Sequence, residues 1–361
     1  MSMTILGLAT AEPAHSIEQS EAAQIARSFL CDGREARLLS ALFQRTQVRS
    51  RGSVLLESGN GSGPRQSFYP PATGPSDRGP ETALRMQRYA EDSLPLAAAA
   101  AARSLERAAT GPEAITHLIT VSCTGFYAPG IDIGLVKRLG LSPTVARLHV
   151  GFMGCHGVLN ALQAARATVI ADPASVVLLC AVELCSLHYQ YGTESDALVA
   201  NALFADGAAA LVGRASTERE DSWRLVSNGT YLLPDSEDGM SWKIGNHGFE
   251  MTLSSRVPEL IGGYLRPWLE GWLAKSGRSL EEVNSWAIHP GGPRILTSVA
   301  EALRLPQTAI AASAEVLAGH GNMSSPTILF VLKRLQEQGV RPPCVVLGFG
   351  PGLVAEAALL E

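Results

Sequence analysis

Val150-Gly-Phe-Met-Gly-Cys-His-Gly-Val-Leu-Asn-Ala-Leu162 is the stretch around which the chain is organised. Two glycines, Gly151 and Gly154, lead into Cys155, and glycine permits a close or unusual backbone there. The apolar run from Val158 to Ile170 that follows has the spacing of a helix packed on several sides. Cys155 would then stand at the N-terminus of that helix, where unpaired N–H groups and the helix dipole favour an anion. A thiolate is such an anion, so the placement suits a nucleophilic cysteine. The competing reading is a buried structural cysteine, a common fate for this side chain.

Working outward, the 361 residues exceed one ordinary domain and imply two packed halves or one large α/β domain. Hydrophobic residues at 46% and charged residues at 17% supply a large core. A net charge of −5 offers no general attraction to nucleic acid or to an anionic membrane. The N-terminal segment has no basic stretch before its apolar run, so no secretory signal is expected. No apolar run reaches the roughly 20 residues of a membrane span. The six cysteines, Cys31, Cys123, Cys155, Cys180, Cys185 and Cys344, show no CxxC spacing. That usage fits free thiols in a reducing cytoplasm better than disulfides or a zinc site, and no metal is expected.

Taken in order, Ile5–Leu8 reads as a strand, Ser16–Leu30 and Leu38–Val48 as helices, and residues 59–80, rich in Gly, Pro and Ser, as a long loop. Arg45, Arg49 and Arg51 cluster at the end of the second helix. Such a group either binds phosphate or is a solvated face. Glu81–Ala109 is helical, and Thr116–Ser122 is a strand that opens into the punctuated loop Cys123–Gly130. Ser175–Val182 is apolar throughout, as in a sheet covered on both faces. Later segments repeat the order strand, loop, buried helix, strand: Ser285–Ile288 opens into His289–Pro293, Gly319–Pro326 leads into the helix 327–338, and Cys344–Leu347 opens into Gly348–Gly352. The repetition suggests an internal duplication with halves 1–215 and 216–361.

Three loops at strand ends or helix starts carry Cys155, His289 and Asn322, and such loops collect chemistry in α/β proteins. A Cys with a distant His and Asn is a candidate nucleophilic set. His289 could hold the thiolate as an ion pair, and with Asn322 it could donate hydrogen bonds to a developing oxyanion. Otherwise His289 ends a strand and Asn322 caps a helix. His156 and His320 are weaker candidates, because each is expected to point away from the glycine-flanked position beside it.

Five blocks in order and spacing give the chain a family likeness: Gly154-Cys155, Ala202-Leu-Phe-Ala-Asp-Gly-Ala-Ala-Ala210, Ile288-His-Pro-Gly-Gly-Pro293, Gly321-Asn-Met-Ser-Ser325 and Gly348-Phe-Gly-Pro-Gly352. The chain resembles the type III polyketide synthases, the chalcone and stilbene synthase-like family of the thiolase superfamily, and in particular their bacterial members. The resemblance implies a thiolase-like α/β fold, duplicated, with five α-β-α-β-α layers. It implies an acyltransferase that loads an acyl-CoA starter on Cys155, extends it by decarboxylative condensation with malonyl-CoA, and cyclises the product to a resorcinol, phloroglucinol, pyrone or chalcone type. His289 and Asn322 would stabilise the enolate, and His289 would keep Cys155 ionised. Phe204 and Met251 would be gatekeepers, with Cys123, His188, Trp242, Gly350 and Pro351 shaping the substrate cavity. Arg45, Arg49 and Arg294 would contact CoA. CoA thioesters would be substrates, no further cofactor is implied, and the assembly would be a homodimer.

Departures from the family bear on the product. Ala128 stands where plant relatives often carry Met, and Met251 where many carry Phe; both are expected to enlarge the cavity. Trp242 is expected to act in the opposite sense, and His156 after the nucleophile is unusual. Two other readings are an initiating ketoacyl-carrier-protein synthase, which shares the Cys-His-Asn set, and a non-catalytic thiolase-fold binding protein.

Overall fold

The computed structural model describes residues 2–30, 35–58, 66–216 and 223–361. Cys31 and the part of the long loop at 59–65 lie outside the described residues. The first part of the chain runs β1 (Ser2–Ala11), β2 (Ser16–Glu18), α1 (Gln19–Arg27), α2 (Glu35–Arg45), β3 (Ser50–Gly52), α3 (Thr82–Arg107), β4 (His117–Ser122), α4 (Ile131–Leu139) and β5 (Ala146–Gly151). It continues through α5 (Gly157–Ala171), β6 (Val176–Leu184), α6 (Ser195–Leu203) and β7 (Asp206–Ser216). The second part runs β8 (Arg224–Leu232), β9 (Met240–Gly245), β10 (Gly248–Leu253), α7 (Val257–Lys275), β11 (Ser285–Ile288), α8 (Pro293–Leu303), α9 (Ala311–His320), α10 (Thr327–Glu337), β12 (Cys344–Gly350) and β13 (Val354–Leu360).

Nine strands join in the order β11-β12-β13-β8-β1-β7-β6-β4-β5. The join between β8 and β1 is narrow, pairing only Met3 with Leu225 and Thr4 with Arg224. On either side of that seam the inner strands β4, β6, β7, β12 and β13 are buried on both faces, and alternate residues serve different cores. Ile119, Val121, Val177 and Leu179 point inward to α5 and α10, as do Val346 and Ala358 from the other side. Leu118, Leu178 and Cys180 point outward to Ala97 and Ala101 of α3. Val345 and Leu347 point outward to Leu265 of α7 and Val299 of α8. The helices α5 and α10 each touch strands from both sides of the seam, so they form a middle layer. The result is the five-layered α-β-α-β-α stack that the resemblance implies.

Residues 223–284, where little organisation is legible in the sequence, hold β8, the β9–β10 hairpin and α7. The segment read as one helix from Ser16 begins instead as the short strand β2, which pairs with β3 before α1 starts at Gln19.

Gly7 sits at a register shift in β1, under the C-terminal end of α3. A Cβ there would lie 2.5 Å from both the Ala108 nitrogen and the Ser104 carbonyl oxygen, which are backbone atoms unable to swing aside. Gly7→Ala should therefore lose about 1–3 kcal/mol by overpacking. Gly271→Ala, in open space on α7, should be neutral or stabilising by up to about 1 kcal/mol. Urea unfolding of both variants checks the pair, and equal stabilities would show that the β1–α3 contact is not tight.

Candidate active site

Cys155 lies in a single 3-10 turn, Gly154–His156, that runs directly into α5. Gly154 takes φ +77°, a left-handed backbone that side chains disfavour, and a Cβ on it would meet Pro351 Cδ at 2.3 Å. Both constraints select glycine. They also explain the Gly348–Gly352 block, whose Pro351 packs on the nucleophile turn from the other half of the stack.

The sulfur of Cys155 receives two side-chain donors. The Ser324 hydroxyl lies 3.5 Å away, and the Asn322 amide also bonds toward the sulfur. Asn322 Oδ1 accepts the Ser324 N–H at 2.8 Å, which leaves its NH₂ free to face Cys155. The Asn322 backbone is clipped to the end of α6: its N–H donates to Leu203 O, and its carbonyl accepts from Ala205 N–H, both at 2.9 Å. Asn322 is thus held beside Phe204, which lines the cavity.

His289 follows β11, and its N–H donates to Leu347 O of β12 at 2.8 Å. Its ring is buried, and neither ring nitrogen has a partner in the protein. Burial pulls its pKa down to about 3, and the nearby His156 adds to that. Burial likewise pushes Cys155 up to about 11, against the lowering effect of Ser324 and Asn322. Each group taken singly is therefore neutral at pH 7. Loss of solvent thus works against the stabilisation that the helix N-terminus offers a thiolate. A thiolate here needs a proton acceptor, and a neutral imidazole with free nitrogens is suited to that task.

One apolar-walled cavity of about 540 Å³ opens on Cys155. Phe204, Met251, Cys123, His188, Trp242 and Pro351 all line it. His188 is a wall rather than a polar contact: its Nε2–H donates to Thr124 O at 2.7 Å, and its Nδ1 accepts Phe249 N–H at 2.9 Å. Its ring stacks on Phe249 at 4.1 Å, and burial lowers its pKa to about 3. Trp242 is locked to the same wall, with its indole N–H on Cys123 O at 2.8 Å and its face edge-on to His188. The Cys123 sulfur accepts Gly154 N–H at 3.0 Å and so buttresses the nucleophile turn.

Several expected residues fall elsewhere. Gly350 is not in the cavity wall; it lies behind Pro351, where a Cβ would strike His156 Cδ2 at 2.3 Å. Ala128 is exposed and does not line the cavity of its own chain. Arg45, Arg49 and Arg294 are exposed and do not reach the cavity wall. Arg51 does line it, but it is buried with its guanidinium bonded to the Asn201 and Phe204 carbonyls at 2.6 and 2.9 Å. It holds the end of α6 in place.

Among the described residues three buried carboxylates, Glu183, Asp206 and Glu356, were not singled out in the sequence. Glu183, at the end of β6, accepts hydrogen bonds from Cys123 N–H, Thr124 N–H, the Thr124 and Ser122 hydroxyls and the Ser325 hydroxyl, at 2.6–3.3 Å. It ties the Cys123 loop to the Asn322 loop, and burial raises its pKa. Asp206 accepts from Ser186 N–H, the Ser186 hydroxyl and Val54 N–H at 2.6–2.9 Å, and burial raises it to about 6. A lone carboxylate within an apolar strand, as at Ala181-Val-Glu-Leu184, is the signal that could have found Glu183. Among the described residues no cluster of His, Cys, Asp or Glu has metal-ligand geometry.

Comparison with known proteins gives this site a family. Residues 2–216 match the N-terminal domain of chalcone and stilbene synthases, and residues 224–361 match the C-terminal domain. The chain is 33% identical to the alpha-pyrone synthesis polyketide synthase-like Pks18 of Mycobacterium tuberculosis, over 99% of this chain and 90% of that protein. It is 33% identical to the 1,3,6,8-tetrahydroxynaphthalene synthase of Streptomyces peucetius, over 99% of this chain and 93% of that protein. Among solved structures, PKS-I of the brown alga Ectocarpus siliculosus superposes with a TM-score of 0.92 at 30% identity, covering 100% of this chain and 98% of that one. The C-terminal type III polyketide synthase domain of Steely1 from Dictyostelium superposes at 0.89 with 24% identity, covering 100% and 99%, a likeness of fold. With both of its domains matched and its relatives aligned end to end, the chain belongs to the chalcone and stilbene synthase family of type III polyketide synthases.

Proposed function

We propose that Cys155 is the acyl carrier of a type III polyketide synthase, with His289 as its base and His289 and Asn322 as donors to developing oxyanions. The observation that carries this reading is the Cys155 sulfur, which opens on an apolar cavity and faces Asn322 and Ser324. The buried His289, whose ring nitrogens have no partner among the described residues, is the base this reading assigns to it. In the loading step the Cys155 proton passes to His289, the sulfur attacks the starter thioester, and CoA leaves with that proton. Malonyl-CoA then loses carbon dioxide, and the electron pair of the broken bond becomes an enolate. The enolate oxygen takes hydrogen bonds from His289 and Asn322, and its carbon attacks the thioester on Cys155. The lengthened chain departs on CoA and can reload. Exposed Arg45, Arg49 and Arg294 would meet CoA outside the cavity, and CoA thioesters would be the only small molecules required. We also read the chain as two halves, 1–215 and 216–361, each giving residues to the site. The five free cysteines among the described residues support a cytoplasmic setting, and no helix of those residues is long and apolar enough to cross a membrane.

The base role has a direct test in the alkylation of Cys155 by iodoacetamide. A thiol held at about 11 carries little thiolate at pH 7 unless a base relieves it. His289→Gln should slow alkylation at pH 7 and give a rate that climbs about tenfold per pH unit toward that value. Wild-type alkylation should be faster and less steep, and identical profiles for the two proteins would remove His289 as the base.

The cavity also indicates the starter. Trp242 and His188 are fixed on one wall, while Ile25, Ala26, Phe29, Leu55, Tyr189 and Tyr191 line another stretch of it. This side favours a bulky or long apolar tail. Burial of each methylene contributes about 0.8 kcal/mol, or roughly a fourfold gain in binding. kcat/KM measured on acyl-CoAs of increasing length should rise through the medium chains. A maximum at acetyl- or malonyl-CoA would show that the apolar side does not receive the starter.

We further propose a homodimer. β5 is a sheet edge with exposed residues along its length, and Leu148, Phe126, Phe152 and Met153 are large apolar side chains exposed on or near it. An unblunted edge strand of this kind invites pairing with a second copy. Light scattering should give a dimer mass, and Leu148→Asp should weaken it. A wild-type monomer at micromolar concentration would contradict the proposal.

A further inference from the structure

His156, the unusual residue after the nucleophile, has a partner chain that connects it to both the sheet and the candidate base. Strand register lays four positions in one row. His289 continues β11 beside Gly348, Gly348 pairs with Glu356 of β13, and Glu356 pairs with Thr230 of β8. Alternation along each strand points this row inward, because Ala287, Val346 and Ala358 two residues away all face the middle layer. Gly348 leaves a gap in the row, which Leu159 of α5 and His156 from the turn before α5 close together. A Cβ on Gly348 would lie 3.5 Å from His156 Cβ, and one on Gly350 would lie 2.5 Å from His156 Nε2. The imidazole of His156 thus lies against β12 at Gly350, close enough to His289 to act on its charge.

The polar contacts of His156 fix which of its nitrogens carries the proton. Glu356 Oε2 accepts the Thr230 hydroxyl at 2.8 Å, and its Oε1 accepts Asn160 Nδ2 at 3.0 Å. Asn160 must then turn its Oδ1 toward His156, whose Nδ1 lies 2.8 Å away and donates to it. This leaves Nε2 of His156 as a lone pair. It is buried without a partner, as are both nitrogens of His289. Three unmatched nitrogens on two neighbouring buried rings form an arrangement that a shared hydrogen bond would resolve.

We propose that His156 is a positioning residue: across one bridging water its Nε2 accepts the N–H of His289, which fixes the His289 tautomer with its other lone pair toward Cys155. The Glu356–Asn160–His156 chain sets the polarity of that contact from the middle of the sheet. His156 touches neither substrate nor the reacting atoms. Its effect is to keep His289 in the form that can take the thiol proton. The proposal rests on the polyketide synthase reading for its catalytic consequence, but the state of Cys155 can be read without it.

Two variants and two readouts test it. His156→Ala removes the acceptor, whereas His156→Gln can place an amide oxygen near the old Nε2. His156→Ala should lower both the rate of Cys155 alkylation at pH 7 and kcat for malonyl-CoA decarboxylation, with KM little changed. The loss should be on the order of tenfold to a hundredfold, below the about 10⁴ lost when a directly bonded histidine orienter is replaced in a triad. His156→Gln should restore most of it. Wild-type rates in His156→Ala would overturn the proposal. So would equal losses in both variants accompanied by a matching fall in melting temperature, since that would mark a packing role only. If the wild-type protein fails to decarboxylate malonyl-CoA, the polyketide reading falls, and the alkylation series still decides the role of His156.

Discussion

The contact on which the site depends is that of Gly154 with Pro351. Gly154 holds a left-handed backbone with its α-carbon against the proline ring, and no side chain fits there. The turn before α5 therefore packs directly on the Gly348–Gly352 loop. Cys155 is delivered by the first part of the chain but shaped by the second. His289 and Asn322 come from that second part, so the candidate chemistry requires both halves to be docked. The buried α5–α10 layer makes the docking firm, because it is packed on two sheets at once.

Around that contact the site is held by groups that do not react. Glu183 gathers donors from two loops, Arg51 fixes the end of α6, and Cys123 takes the Gly154 N–H. Buried polar networks of this kind are costly when incomplete and rigid when satisfied. Here the reacting set is the incomplete part. Among the described residues the His289 ring nitrogens have no partner, and Cys155 has only weak ones. The same burial disfavours charge on either group alone, so a nucleophile and base at these positions would have to act as a pair.

Much of this was legible in the sequence because it is written in local signals. The apolar strands, the helix after Cys155 and the glycine-punctuated loops carry periodicity and backbone requirements in their own residues. The five family blocks then placed the fold and the Cys155, His289 and Asn322 loops, and the family comparison agrees with the fold and the activity class. It also sets aside the carrier-protein synthase reading. What was not legible depends on partners distant in the chain. The β9–β10 hairpin and α7 lacked punctuation that could be read alone. Ala128, read by correspondence as a cavity residue, is exposed and lies outside the cavity of its own chain. His188 looked like a polar cavity group, but Thr124 and Phe249 consume both its nitrogens. His156 was expected to point away from the glycine-flanked position beside it, and only the fold shows that Asn160, linked to Glu356, and the β12 backbone at Gly350 surround it.

The central claim is that Cys155 carries a growing chain, and mass spectrometry of the protein quenched during turnover tests it most directly. With an apolar acyl-CoA starter and malonyl-CoA, the peptide containing Cys155 should carry the starter acyl group and a ladder of adducts, each longer by one two-carbon ketide unit. Cys123 and Cys185 should remain unmodified, and the ladder should collapse to the starter alone when malonyl-CoA is omitted. Turnover with no acyl group on Cys155, or with the ladder on another residue, would contradict the account.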